Sequence, residues 1–234
     1  MRYVSLKQRF KKCNNLIRII TVVAICFFDV ALGAFLLSYW TKNNLALSVK
    51  NASANLPDII GQNFAVTSCS ILLLIVTAFV LRKTFVADMY LGMKTKEQKM
   101  AVAILAVVLI AMFGMLLALK SDKVTVLYNL FYYLFFVAFF EEFVVRGVCV
   151  HILKDFSPIY RYLVPNICFA MMHIFVTYGY EKLMISHVLQ FLMSGIWGYV
   201  LIGCLFQLLK EKSGTLWVPI LVHTILDFLA VFNY

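Results

Sequence analysis

Charge is scarce in this chain. Of its 234 residues 14% are Asp, Glu, Lys or Arg, 63% are hydrophobic, and the mean hydropathy is +0.91. A soluble domain carries about 25% charged residues. The deficit excludes a soluble enzyme or binding module and assigns the chain to the integral membrane class. Closely spaced cysteines are missing as well. Cys13, Cys26, Cys69, Cys149, Cys168 and Cys204 are scattered, mostly within apolar runs, with no CxxC step. That excludes a disulfide framework and reads the thiols as small buried apolar groups. Internal repeats and low-complexity tracts are also absent, so a solenoid is excluded. Long polar stretches are nearly so. Only 41–60, "TKNNLALSVKNASANLPDII", is turn-rich over any length. It reads as a loop with a short surface helix, and its "NAS" at 51–53 is a sequon of the kind that arises by chance.

What is present is a series of apolar runs of about bilayer-spanning length, ~20 residues each. They lie at 16–40, 63–81, 100–119, 126–153, 162–178, 184–209 and 214–233. The expected fold is all-α: a polytopic bundle of seven transmembrane helices without a soluble domain. "ALGA" at 31–34 resembles a signal cleavage site, but the apolar stretch runs on through Trp40, so the first run reads as a retained span.

The net charge of +10 does not signal nucleic acid, because the cations alternate between loops. Arg2, Lys7, Arg9, Lys11, Lys12 and Arg18 precede the first span. Arg82, Lys83, Lys94, Lys96 and Lys99 fill the second connection, Lys154 and Arg161 the fourth, and Lys210 and Lys212 the sixth. The opposite face has Lys42, Lys50, Lys120, Lys123 and Lys182. The positive-inside rule then places the N-terminus in the cytoplasm and the C-terminus outside. The basic face attracts anionic headgroups of the lipid bilayer.

Against this background the polar residues within the runs stand out. An Asp, Lys or Arg at mid-helix costs about 2.5–3.5 kcal/mol on insertion scales, and such residues default to functional hypotheses. The chain retains Glu141, Glu142, Arg146, His173, His223 and Asp227. Glu142 and Arg146 are i, i+4 and can pair on one face. Glu141 is rotated about 100° from Glu142 and is expected on another face, free of that pair. His223 and Asp227, and Phe169 and His173, share the same spacing. At 1.5 Å per residue, Glu141, His173 and His223 all fall roughly 14–18 Å from the cytoplasmic boundary. A Glu–Arg pair can serve as bundle glue, and a lone His can satisfy an interhelical hydrogen bond. Three segments with polar residues at one level favour a shared site. His151 and His187, near span ends, read as structural, and Asp29 reads as a local polar contact or an interior-facing group. In the last helix, Ser213-Gly214 supplies a turn, and Pro219 is tolerated if a neighbour satisfies the freed carbonyl. Ser194 and Gly198 form a small-xxx-small step that predicts close helix approach.

The polar residues also fall into a known pattern. "EEFVVR" at 141–146 matches EExxxR, "FAMMH" at 169–173 matches FxxxH, and "HTILD" at 223–227 matches HxxxN/D. In these motifs, and in "SGTLWVPILVH" at 213–223, the chain resembles the CAAX prenyl endopeptidase type 2 and bacteriocin-processing (CPBP or Abi) family of intramembrane proteases. The likeness covers about 130–230. It divides the chain into spans without motif, 1–125, and a catalytic helical core, 126–234. It implies a peptidase site in a water-filled cavity within the membrane. By position, Glu141 and His173 would activate water, His223 and Asp227 would line the oxyanion side, and Glu142 and Arg146 would organise the first motif. Eukaryotic members commonly have Asn where this chain has Asp227. An ionised Asp cannot donate to an oxyanion, so Asp227 is expected to orient His223.

The expected function is thus hydrolysis of a membrane-associated or lipidated, CAAX-like peptide in the cell membrane, with the site toward the cytoplasmic side. Signalling-peptide or bacteriocin-related precursors are the substrates implied by analogy. Glu plus His supplies an activated water and His an oxyanion donor, without a cofactor. The alternative uses Glu141, His173 and His223 as zinc ligands, although the compact HExxH spacing is missing. A non-enzymatic immunity or scaffold protein is the competing class. An ion or proton carrier would need polar groups strung across the membrane, and these lie at one depth.

Overall fold

The computed structural model describes residues 6–178 and 184–233, with backbone only for 6–13 and Val176. Arg2 and Lys182, and the side chains of Lys7, Arg9, Lys11, Lys12 and Cys13, lie outside that description. All regular structure among the described residues is helical. Helix α1 is Leu6–Lys42. Helix α2 comprises Leu56–Val66 and Ser68–Leu81, joined at Thr67. Helix α3 is Lys96–Leu119, and α4 runs over 123–152. Helix α5 comprises Pro158–Met172 and Ile174–Tyr178, separated at His173. Helix α6 covers 185–213 and α7 covers 217–233, ending in a 3-10 turn.

These rods follow the apolar runs, with two shifts. Helix α2 begins at Leu56, seven residues before the apolar run at 63, because Pro57 can occupy its first turn without losing a helical hydrogen bond. The 41–60 loop does contain a short helix, Val49–Ala54. Helix α6 continues to Ser213 and takes Lys210 out of the loop. Among the described residues four helices are long and apolar enough to cross a membrane: Asn14–Lys42, Ser68–Asp88, Lys96–Leu119 and Ile185–Ser213. Trp217–Asn233 is apolar but shorter. These four are among the seven expected spans, and α4, α5 and α7 supply the further apolar helices. Helix α4 carries the buried charges and α5 is broken at His173.

Caps and cross-links fix which ends lie together. Thr95 Oγ1 accepts from Gln98 N at 3.2 Å, and Gln98 Oε1 accepts from Thr95 N at 3.1 Å, a capping box for α3. Gln98 Nε2 then donates to the carbonyls of Ser213 and Gly214 at the α6–α7 turn. Gly214 adopts φ +68°, the left-handed C-cap that glycine tolerates. Ser213 Oγ donates to Thr215 O at 3.0 Å, satisfying the carbonyl that Pro219 leaves without its helical N–H. Leu216 N and Trp217 Nε1 donate to the carbonyls of Tyr90 and Leu91, and Arg18 Nε donates to Ile152 O at the end of α4. These bonds gather one end of the bundle. At the other, Asp122 accepts from Ser53, Thr125 Oγ1 and Thr125 N, and these donors hold its carboxyl below the usual range.

Burial is inverted relative to a soluble bundle. Residues 142–150 of α4 are all buried, whereas Phe28 on α1, Phe79 on α2, Val107 on α3 and Leu201 on α6 are 65–71% exposed. Apolar faces of this extent are unstable in water and suited to lipid. The small-xxx-small expectation fails at its stated place: Gly198 has open space where a Cβ would be. Close approach occurs instead at Gly203, whose Cβ position lies 2.7 Å from Asn166 Oδ1 and 2.9 Å from an Arg146 guanidinium nitrogen.

Candidate active site

The site is built on α4, which alternates between two helical types. Tyr132–Phe139 and Phe143–Cys149 are π-helical, and the short α turn Phe140–Glu142 sits between them. Stretches of π-helix occur mostly at functional sites, because widened turns re-aim side chains. Glu141 is free of the Glu142–Arg146 pair, as the spacing predicts, yet it is not remote from its neighbour. Both carboxylates reach the same imidazole: Glu142 Oε1 lies 3.0 Å from His223 Nδ1, and Glu141 Oε2 lies 3.9 Å from His223 Nε2.

Glu142 is fully buried and its Oε1 also accepts from Arg146 Nη1 at 3.1 Å, the i, i+4 pair anticipated from spacing. Arg146, likewise fully buried, donates through Nη2 to Asn166 Oδ1 at 2.9 Å, and Asn166 in turn donates to Tyr162 O at 2.7 Å. The guanidinium lies over the Phe169 ring, 4.2 Å from its centroid. Carboxylate, amide and ring together offset the desolvation of the cation.

His173 ends the first part of α5. Its Nδ1 is 2.8 Å from Phe169 O, and a carbonyl only accepts, so Nδ1 carries the proton. Nε2 is thereby directed at Glu141 Oε2, 3.9 Å away. Phe169 and Tyr199 hold the imidazole between rings at 4.5 and 4.3 Å. His223 has carboxylates at both nitrogens, Glu142 at Nδ1 and Asp227 Oδ2 at 3.3 Å from Nε2, and Phe206 stacks on it at 4.8 Å. An imidazolium therefore finds an acceptor on each side.

Glu141 differs from its neighbour. Its side chain is 26% exposed, and Oε2, equidistant from the two histidines, makes no direct hydrogen bond. It lines a cavity of about 210 Å³ together with His173, Asp29, Ser70, Asn63 and Tyr132, closed by apolar side chains such as Leu37 and Met172. Asp29 accepts a short hydrogen bond from Ser70 Oγ. It is thus both interior-facing and locally bonded, and α1 and α2 complete a cavity whose motifs all lie further along the chain.

The structure brings together Glu141, Glu142, Arg146, Phe169, His173, His223 and Asp227. His151 and His187 stand apart, His151 against Lys154 and Arg161 and His187 stacked on Tyr178. Asn166, Tyr199, Phe206 and Gly203 escaped sequence reasoning. Only Asn166 left a trace: a polar residue in an apolar run, seven before His173 and hence on the same helical face.

The donors fit a metal poorly. Zinc ligands lie 2.0–2.2 Å from the ion, so neighbouring donors are about 3.3–3.6 Å apart. Glu141 Oε2 is 3.9 Å from each imidazole nitrogen. Among the described residues no group of three His, Cys, Asp or Glu side chains is gathered closely enough to hold an ion.

The described residues thus form an all-helical, lipid-suited bundle with a Glu-Glu-Arg-His-His cluster beside a cavity. The family model described as Type II CAAX prenyl endopeptidase Rce1-like matches residues 123–229. The matched stretch contains all three motifs and the whole of α4 and α5, so the resemblance read from the motifs is shown over that segment. No curated protein and no solved structure matches the chain.

Proposed function

We propose that the protein is a CAAX-type intramembrane endopeptidase that hydrolyses a membrane-associated peptide with a water activated by Glu141 and His173. The observation that carries this reading is the position of Glu141, whose side chain lines a cavity and whose Oε2 lies 3.9 Å from Nε2 of both His173 and His223. That spacing is too long for a direct hydrogen bond and matches two bonds through one water.

In the proposed reaction Glu141 takes a proton from the water and the oxygen attacks the peptide carbonyl. His173, its tautomer set by Phe169 O, orients the water through Nε2. The imidazolium of His223, held by Glu142 and steered by Asp227, donates to the oxyanion. Glu141 then returns the proton to the departing amine. Acid–base help of this kind contributes about 10²–10⁴-fold, and one oxyanion donor about 10²–10³-fold. The apolar cavity wall suits an aliphatic or lipidated segment. The reading includes a seven-span topology in the cell membrane with the basic end and the site toward the cytoplasm, supported by the alternating loop charge.

The test compares membrane peptides in cells expressing wild-type protein or Glu141→Gln, with protein abundance measured in parallel. A peptide should accumulate uncleaved with the variant at unchanged abundance. Identical peptide profiles for wild type, Glu141→Gln, His173→Ala and His223→Ala would transfer the cluster to a scaffold or immunity role.

A further inference from the structure

A second cavity, of about 270 Å³, lies at the basic end of the bundle, away from Glu141. Its walls come from the end of α4, the start of α5, the end of α6 and the short 85–88 helix. Four of its side chains are basic: His151, Lys154, Arg161 and Lys210.

Two of these have unmet electrostatic requirements. Lys210 is 3% exposed, yet its ammonium is held by neutral groups, Arg146 O at 2.8 Å and the Tyr90 ring at 4.2 Å. Among the described residues no carboxylate lies within ion-pair distance of it. Arg161 Nε is buried without a hydrogen-bond partner. Arg161 also occupies the first turn of α5, where the helix dipole is positive and no acidic residue is present. A cation there is repelled unless an anion joins it.

The cavity also contains Asp88 and Glu211. Both oxygens of Glu211 are engaged, with Tyr162 Oη at 2.7 Å and Gln207 Nε2 at 2.9 Å. Lys154, Arg161 and Lys210 outnumber the two carboxylates, and a buried ammonium and a half-buried guanidinium line a space large enough for a tetrahedral anion. Such donors bind phosphate oxygens through charge-assisted hydrogen bonds.

We propose that this cavity binds a phosphate group, most simply the headgroup of an anionic phospholipid, through Lys154, Arg161 and Lys210. The helix ends that form it lie at headgroup level if the apolar rods span the bilayer, and a free phosphate would meet the same donors. The proposal does not rest on the peptidase reading.

The full-length protein purified in mild detergent is followed by thermal unfolding while phosphatidylglycerol, phosphatidylcholine or inorganic phosphate is added at matched ionic strength. Phosphatidylglycerol should raise the midpoint and phosphatidylcholine should not. The shift should fall at least twofold in Lys154→Gln/Arg161→Gln and persist in Lys83→Gln/Lys96→Gln, which removes two exposed cations outside the cavity. Lys210 is left intact because its ammonium also holds the Arg146 carbonyl. A shift with inorganic phosphate that the cavity variant loses identifies free phosphate as the ligand. Absence of any shift, or equal loss in both double variants, overturns the site.

Discussion

Replacing Arg146 with alanine would remove a guanidinium that serves three partners at once. Glu142 would keep His223 as its one donor on Oε1, while Oε2, already unpartnered, would face a fully buried surrounding. Asn166 Oδ1 would lose the bond at 2.9 Å, and Phe169 the cation above its ring. Breaking a buried ion pair by deleting one partner costs about 3–5 kcal/mol. Because His223 still supports the carboxylate, the lower end, about 3 kcal/mol, is expected. For a chain of this size that corresponds to a fall of roughly 6–12 °C in the unfolding midpoint. Unfolding in detergent, followed by helical signal, measures it. Glu142→Gln/Arg146→Met, which removes both charges, should lose less than Arg146→Ala. An unchanged midpoint for Arg146→Ala would show that the guanidinium is hydrated, and the pairing argument would then be wrong.

Further outcomes follow from the same geometry. Gly203→Ala places a methyl group against Asn166 Oδ1 and the Arg146 guanidinium; overpacking of this kind costs about 1–3 kcal/mol. A lowered midpoint with reduced cleavage is expected, and normal values would show that α5 and α6 can separate freely. Purified protein should contain well under one equivalent of zinc and cleave its substrate after chelation and dialysis. Loss of cleavage with strict recovery on adding zinc or cobalt would overturn the metal-free mechanism.

The sequence carried more of the site than of its surroundings, for a physical reason. Ionisable residues in apolar runs cost enough that each one is a signal, so Glu141, Glu142, Arg146, His173 and His223 were visible, and helical rise alone predicted their common level. Distances of 3.0–3.9 Å among them agree with that level. Helix type was not legible. Nothing in "YYLFFVAF" or "FVVRGVC" distinguishes π from α turns. Aromatic walls such as Tyr199 and Phe206 are hidden because a lipid-facing helix is aromatic too. Gly203 was missed, and Lys210 was misjudged, for a related reason. Close approach and burial of an ammonium depend on which helices meet, and hydropathy does not say.

Glu141 and Glu142 are adjacent in sequence but differ in surroundings: Glu141 lines the cavity and Glu142 is fully buried beside it. They share the α turn Phe140–Glu142, and from it they reach opposite nitrogens of one imidazole on α7. Glu142 is then fixed by Arg146 below and His223 beside it, and its accepting oxygen is fully used. Glu141, one residue earlier, remains partly exposed on the cavity wall, with its inner oxygen directed at two imidazoles and bonded to neither. A base needs a free lone pair within reach of the proton it removes. Of the two carboxylates only Glu141 is partly exposed and lines the cavity, and Glu142 is the one that fixes His223 through Nδ1.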